Sequence, residues 1–359
     1  MSQRIEWIDT VKTLTMLLVV IGHCNYYTIE TPYGGIHYLT ESCNISTAYK
    51  CLRCIVVFIY SFHMPLFMSL SGMCFSISMK KNMNIKDLIH NKILRLLLPF
   101  LSVSLFLSIP IKFATGYWDG SETIPKDIIY GQLLLMGNSH LWFLASLFWI
   151  FIAYYMIEKS GWKGCSLWVT LLIISWVGFY IEPNCNFIGL PAAMKHLFFF
   201  ACGYNMLSWI NAGVSRKIVP VLLLAGMFLL QRVYISWQCH DVLFLRILEP
   251  VLFTFFALCG IYSLCTMAKL LPSIKKKRKV LSFMKNNTFE MYLYSDPFNY
   301  LLIFLGYSIM DENLLTNSKL TLLMFCIRVV GTMVFAMIVI GVVRVLRLKS
   351  LQSIFSSIA

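Results

Sequence analysis

Lys12 and His23 stand eleven residues apart in the apolar run IDTVKTLTMLLVVIGH. On a helix, eleven steps of about 100° return to within about 20° of the starting direction, so the two share one face, roughly 16 Å apart along the axis. Asp9 lies about 40° off that line, one turn nearer the amino end. A stripe with charge at one end and an imidazole at the other suits a long amphiphilic ligand held at its charged end, with its reactive end near His23. A buried imidazole is placed to act as a general base. The plainer account is a polar packing stripe between helices, with Lys12 snorkelling to the membrane surface.

Other polar groups fall inside apolar segments, where each is expensive unless paired or hydrated. Ser61-Phe62-His63-Met64-Pro65 precedes Ser71-Gly72. Pro65 is expected to kink this segment and free a carbonyl, Ser71-Gly72 to allow close helix approach, and His63 to line the same cavity as His23. Arg95 opens the next segment, where a guanidinium either forks onto phosphate or snorkels. His140 and Trp142 begin another, Trp142 also fitting an interfacial aromatic belt. Asp296 and Arg328 lie at matching depths in antiparallel neighbours and are expected to form a buried ion pair. Lys195-His196 and Arg246/Glu249 are read as interfacial or paired groups. Cys51 and Cys54 form a lone C-x-x-C without companion ligands, so no metal site is expected, and no P-loop, dinucleotide glycine motif or HExxH occurs.

The elements that must position these residues follow from composition. Of 359 residues, 58% are hydrophobic and only 13% charged, too little polar surface for a water-soluble fold and far too apolar for a disordered chain. Runs of about 20 apolar residues, long enough to span a bilayer, lie near 7–25, 54–79, 93–113, 140–157, 165–182, 189–209, 217–236, 243–267, 288–309 and 320–346. Backbone satisfaction in lipid requires helices. The expected fold is an all-α integral membrane protein of about ten transmembrane helices, a single domain over residues 1–359. Twenty-one of the thirty Lys and Arg residues fall in the loops on the side of the amino terminus, which places both termini in the cytoplasm by the positive-inside rule. The run Lys275-Lys276-Lys277-Arg278-Lys279 is read as a cytoplasmic loop touching anionic membrane lipids, or as help in binding a phosphorylated ligand. No basic, aromatic-interleaved soluble domain accompanies it, so no nucleic-acid partner is expected. The first segment lacks a small-residue cleavage site and is read as a retained helix.

Arg4-Ile5-Glu6-Trp7-Ile8-Asp9 running through Lys12 to Val19-Val20-Ile21-Gly22-His23 resembles the opening helix of the acyltransferase family 3 membrane proteins, particularly the fucose 4-O-acetylase-like, surface-polysaccharide O-acetyltransferase branch. Phe62-His63-Met64-Pro65-Leu66-Phe67 with Leu70-Ser71-Gly72, the Arg95 to Pro99 stretch, Leu141-Trp142-Phe143-Leu144 and Met291-Tyr292-Leu293 resemble later blocks of that family in the same order. The resemblance implies a multi-pass enzyme of the bacterial cytoplasmic membrane with no permanently bound cofactor. Such an enzyme moves an acyl group, usually acetyl from cytosolic acetyl-CoA, to a sugar hydroxyl of a surface glycan or its lipid-linked precursor. His23 is then the catalytic residue, by direct transfer or by an acyl-histidine relay. Lys12, Asp9 and Arg95 sit where the polyanionic nucleotide of the donor would rest, Lys12 keeping the charge but not the bidentate fork of the arginine common in relatives. His63, Ser71, His140, Trp142, Ser295 and Asp296 are expected to line the site. Ser295 and Asp296 stand where many relatives have a histidine, so the resemblance gives neither a catalytic role. The rival reading is a transporter or flippase of a lipid-linked sugar. It predicts inverted repeats with broken helices in matching halves, and no such symmetry is visible.

Overall fold

A computed structural model describes residues 5–38, 45–79, 84–212, 218–237, 243–270, 279–310 and 313–350. The four basic residues 275–278 lie outside that set. The main helices are α1 (Glu6–His23), α2 (Thr47–Tyr60), α3 (His63–Met79), α4 (Ile85–Ala114), α5 (Trp142–Ser160), α6 (Cys165–Ile181), α7 (Leu190–Ala212), α8 (Val219–Trp237), α9 (Leu243–Leu270), α10 (Thr288–Met310) and α11 (Ser318–Ser350). Seven helical stretches among the described residues are long and apolar enough to cross a membrane: α2 with α3, α4, α5, Phe187–Leu207, Val219–Ser236, Leu245–Leu270 and Ser318–Leu346. The other three expected intervals fold as α1, the shorter apolar α6, and α10. Large side chains such as Phe106, Leu229, Ile309 and Val330 point outward and exposed, the apolar perimeter a bilayer would cover.

α1 sits at the centre. Glu6 and Asp9 occupy its first turn, where acids complement the helix dipole. Met16, Val19 and Val20 pack into a core shared with Met68 and Phe75 of α3, Phe143, Leu144 and Leu147 of α5, Phe200 of α7 and Met291 of α10. α3 and α7 meet backbone to backbone: a Cβ added to Gly72 would collide with the Phe200 carbonyl, and one added to Gly203 with the Ser69 carbonyl. The close approach expected at Ser71-Gly72 is therefore present, through glycines on both helices.

Pro65 does not kink a continuous helix. α2 ends at Tyr60, the chain turns at Ser61-Phe62, and α3 restarts at His63, so Pro65 falls in a first turn, where its missing N–H has no intrahelical carbonyl to serve. α4 absorbs Pro99 and Pro110 differently. The five-residue stretches before Leu98 and Ile109 open into wider turns, with Leu98 N–H bonding to the Ile93 carbonyl and Ile109 N–H to the Ser104 carbonyl.

The all-α expectation misses one element. Strands β1 (Thr28–Thr31) and β2 (Gly34–His37) form an antiparallel hairpin with Thr28 opposite His37 and Thr31 opposite Gly34. It docks on the loop after α4, where Gly35 N–H bonds to the Tyr117 carbonyl at 2.9 Å and Trp118 Nε1–H to the Tyr33 carbonyl at 3.0 Å. Gly34 has φ +112°, and a side chain there would strike Tyr117 and Trp118.

Candidate active site around His23

His23 is the last residue of α1, and three groups from α10 and α11 hold it. Asp296 Oδ1 lies 2.7 Å from its Nδ1. A carboxylate only accepts, so Nδ1 carries the proton and the Nε2 lone pair is left free, the tautomer a general base needs. Its carbonyl accepts from Asn299 Nδ2 at 2.6 Å and from an Arg328 guanidinium nitrogen at 3.2 Å. These donors satisfy a carbonyl that the helix end leaves without an intrahelical partner.

The expected Asp296–Arg328 ion pair is not formed. Arg328, 0% exposed, places Nε 2.7 Å from Asn299 Oδ1 and another nitrogen 2.9 Å from the Tyr26 carbonyl, with its guanidinium over the Tyr26 and Tyr27 rings. Its planar fork is spent on backbone carbonyls at the end of α1 and on Asn299, which leaves Asp296 to two histidines. Asp296 Oδ2 faces His140 Nδ1 at 3.3 Å.

His140 is fixed by a consequence of Pro297. Proline has no N–H to give the carbonyl four residues back, which is Leu293. His140 Nε2 takes that vacancy, donating to the Leu293 carbonyl at 3.2 Å, while the Tyr292 hydroxyl donates to the His140 carbonyl. The loop carrying His140 is braced from α4: buried Lys112 donates to Gln132 Oε1 at 3.0 Å and to the Asn138 carbonyl, and Gln132 donates to Ser139 Oγ at 2.9 Å.

A cavity of about 270 Å³ opens beside His23, lined by Tyr60, His63, His140, Trp142, Lys195 and His196 among others. His63 Nδ1 donates to the Ile59 carbonyl at 3.0 Å, which leaves its Nε2 as an acceptor. The histidines thus come from the carboxyl end of α1 and the amino-terminal turns of α3 and α7, with His140 just before α5. A small second pocket on the Asp296 side is lined by His23, His140, Ser295, Asp296 and Asn299.

The structure therefore brings His23, His63, His140, Trp142, Ser295 and Asp296 together. Ser295 is buried, with its hydroxyl directed to the Tyr292 carbonyl at 3.4 Å. Ser71 lies away from the cavity lining and bonds the Phe67 carbonyl within α3 at 2.9 Å. Lys12 and Asp9 are at the opposite end of α1, 3.8 Å apart. Beside them the short helix Lys279–Asn286 packs on α1, with Lys285 Nζ 3.4 Å from Thr10 Oγ1, and the Arg344 guanidinium bonds the Asn287 amide. Arg95 is exposed in the first widened turn of α4.

Asn299, Arg328 as a helix-end clamp, and the Lys112 brace were not apparent as parts of the site from sequence. Signals for them exist: Asn299 follows Asp296 by three residues, on one helical face, and Lys112 is an ionisable group inside an apolar run. Among the described residues no group of three His, Cys, Asp or Glu side chains is arranged to hold a metal ion.

A free imidazole lone pair over a cavity, backed by a carboxylate, is equipment for taking a proton from a hydroxyl. Neither a curated protein nor a solved structure matches the chain. The family model described as an acyltransferase domain matches residues 5–341, nearly the whole length, and the chain belongs to that family, acyltransferase family 3, as a multi-pass membrane protein.

Proposed function

We propose that this acyltransferase is an O-acetyltransferase, moving acetyl from cytosolic acetyl-CoA to a sugar hydroxyl of a cell-surface glycan or its lipid-linked precursor. The carrying observation is the 2.7 Å contact of Asp296 with His23 Nδ1, which leaves Nε2 free beside a cavity that three further histidines line. In this reading all ten helical intervals cross the cytoplasmic membrane of a bacterium, with both termini in the cytosol. Lys12, Lys285 and Arg344 then lie at the cytosolic end of α1, where the nucleotide phosphates of the donor would meet positive charge. The pantetheine arm runs along α1, and the thioester reaches the level of His23, about 16 Å from Lys12.

The steps balance without an external reagent. Nε2 of His23 removes the proton of the acceptor hydroxyl as its oxygen bonds to the acetyl carbonyl carbon. The C–S bond then breaks, and the proton on Nε2 passes to the leaving thiolate, restoring the free histidine and releasing coenzyme A. Asp296 holds the ring and stabilises the transient imidazolium. His63 and His140 stand close enough to orient reacting groups around it.

Acceptor-dependent release of coenzyme A thiol from acetyl-CoA by membrane vesicles carrying the protein tests this reading. Thiol release that rises with added sugar acceptor, matched by acetyl ester in the sugar, is expected. Movement of a lipid-linked sugar across the vesicle without thiol release would instead identify a flippase.

A further inference from the structure

Resting on the transfer reading above, we propose that the part of the cavity walled by Trp142, His196 and the Lys195–Glu182 pair is the subsite that binds the acceptor sugar ring. His196 is 3% exposed and lines the cavity, yet neither of its ring nitrogens makes a hydrogen bond among the described residues, and Nδ1 is fully buried. A buried polar nitrogen without a partner is costly and uncommon. Its ring cannot readily turn to find one. It is stacked on Trp142, with centroids 5.6 Å apart and planes 20° apart, and is flanked by Phe199 and Phe253. Nδ1 is sealed from the cavity, but Nε2, likewise without a hydrogen bond among the described residues, is not fully enclosed and is the nitrogen a ligand in the cavity can meet; a sugar hydroxyl is a donor and acceptor of the right size.

Two further polar groups stand in the same cavity wall. Lys195 Nζ is 2.9 Å from Glu182 Oε2, both partly buried at the cavity, so a cation and a carboxylate face the same space. The position of Lys195 is rigid. Ser175 Oγ donates to its carbonyl at 2.6 Å, and Gly178 lets α6 touch the Lys195 backbone, where a Cβ would clash. Trp142 and Tyr60 add aromatic faces against which the apolar face of a pyranose can lie. A long acyl chain would leave the His196 ring without a hydrogen-bond partner. The volume of about 270 Å³ is just below the range of roughly 300–1,000 Å³ typical of small-molecule sites, enough for one ring rather than an oligosaccharide. The subsite also lies at the end of α1 opposite Lys12, so donor and acceptor approach His23 from different sides.

His196→Phe keeps the stack on Trp142 and removes both ring nitrogens. The test measures acetyl transfer from acetyl-CoA to a panel of methyl hexopyranosides and their monodeoxy analogues, in vesicles matched for protein content. The expected result is a KM for the pyranoside raised about five- to tenfold, the effect of one lost hydrogen bond, with the KM for acetyl-CoA unchanged. The deoxy analogue most penalised by the wild type should be no worse than its parent sugar for the variant. Glu182→Gln, a change at the other wall, should likewise raise the pyranoside KM alone. Unchanged pyranoside KM values and an unchanged deoxy profile in both variants, with an active wild type, would overturn the subsite. A wild type that acetylates none of the pyranosides would instead count against the transfer reading itself.

Discussion

Asp296 Oδ1 lies 2.7 Å from His23 Nδ1, joining residues 273 positions apart in sequence. The contact fixes which nitrogen of His23 is bare, and a base without a fixed tautomer spends part of its time unable to accept a proton. Asp296→Asn keeps the shape but can donate its amide to Nδ1 and favour the wrong tautomer. The expected outcome is a fall in kcat of about 10²–10⁴-fold with both KM values little changed, read by steady-state transfer assays. A kcat within a few-fold of wild type would mean that Asp296 does not orient the base.

Pro297 gives a prediction of opposite flavour. Restoring an N–H at this position supplies the Leu293 carbonyl with a helical donor that competes with His140. Pro297→Ala should therefore hold or raise thermal stability while lowering kcat several-fold. A variant that loses stability and keeps full activity would show that the His140–Leu293 bond has no part in positioning.

Arg328 is wholly buried and supplies donors to two carbonyls at the end of α1 and to Asn299. Arg328→Met takes the donor from the Tyr26 carbonyl and Asn299 Oδ1 and one of two donors from the His23 carbonyl, at a cost on the order of 3 kcal/mol. Thermal unfolding in detergent should show a clearly lowered Tm together with reduced kcat, because the backbone of His23 loses its clamp. An unaltered Tm would contradict the clamp.

At the other end of the same helix, Lys12→Ala should raise the KM for acetyl-CoA and leave that for the sugar unchanged. Kinetics with each substrate varied in turn decide it, and an effect confined to the sugar would refute a donor-side role for Lys12.

Much of this was legible in the sequence because lipid makes the rules strict. Apolar runs predicted helices that the structure contains, and His23, His63 and His140 stood out as costly polar groups in apolar surroundings. The failures have local causes. Pro65 signalled a kink, but helix periodicity does not register the break at Ser61-Phe62 that turns the proline into a first-turn residue. Asp296 and Arg328 were paired by charge and depth alone. Depth carries no information about azimuth, and in the structure the arginine serves carbonyls while the aspartate serves imidazoles. The hairpin at 28–37 lies in a loop too short and polar to show a strand pattern, and the stack of His196 on Trp142 joins two helices that only folding brings together.

The most direct test follows radiolabelled acetyl from acetyl-CoA into membrane glycan, comparing vesicles that carry the wild type with vesicles that carry equal amounts of His23→Ala. Label in the glycan with the wild type and none above background with the variant is the predicted result. Equal labelling by both would remove His23 from the chemistry and contradict the account at its centre.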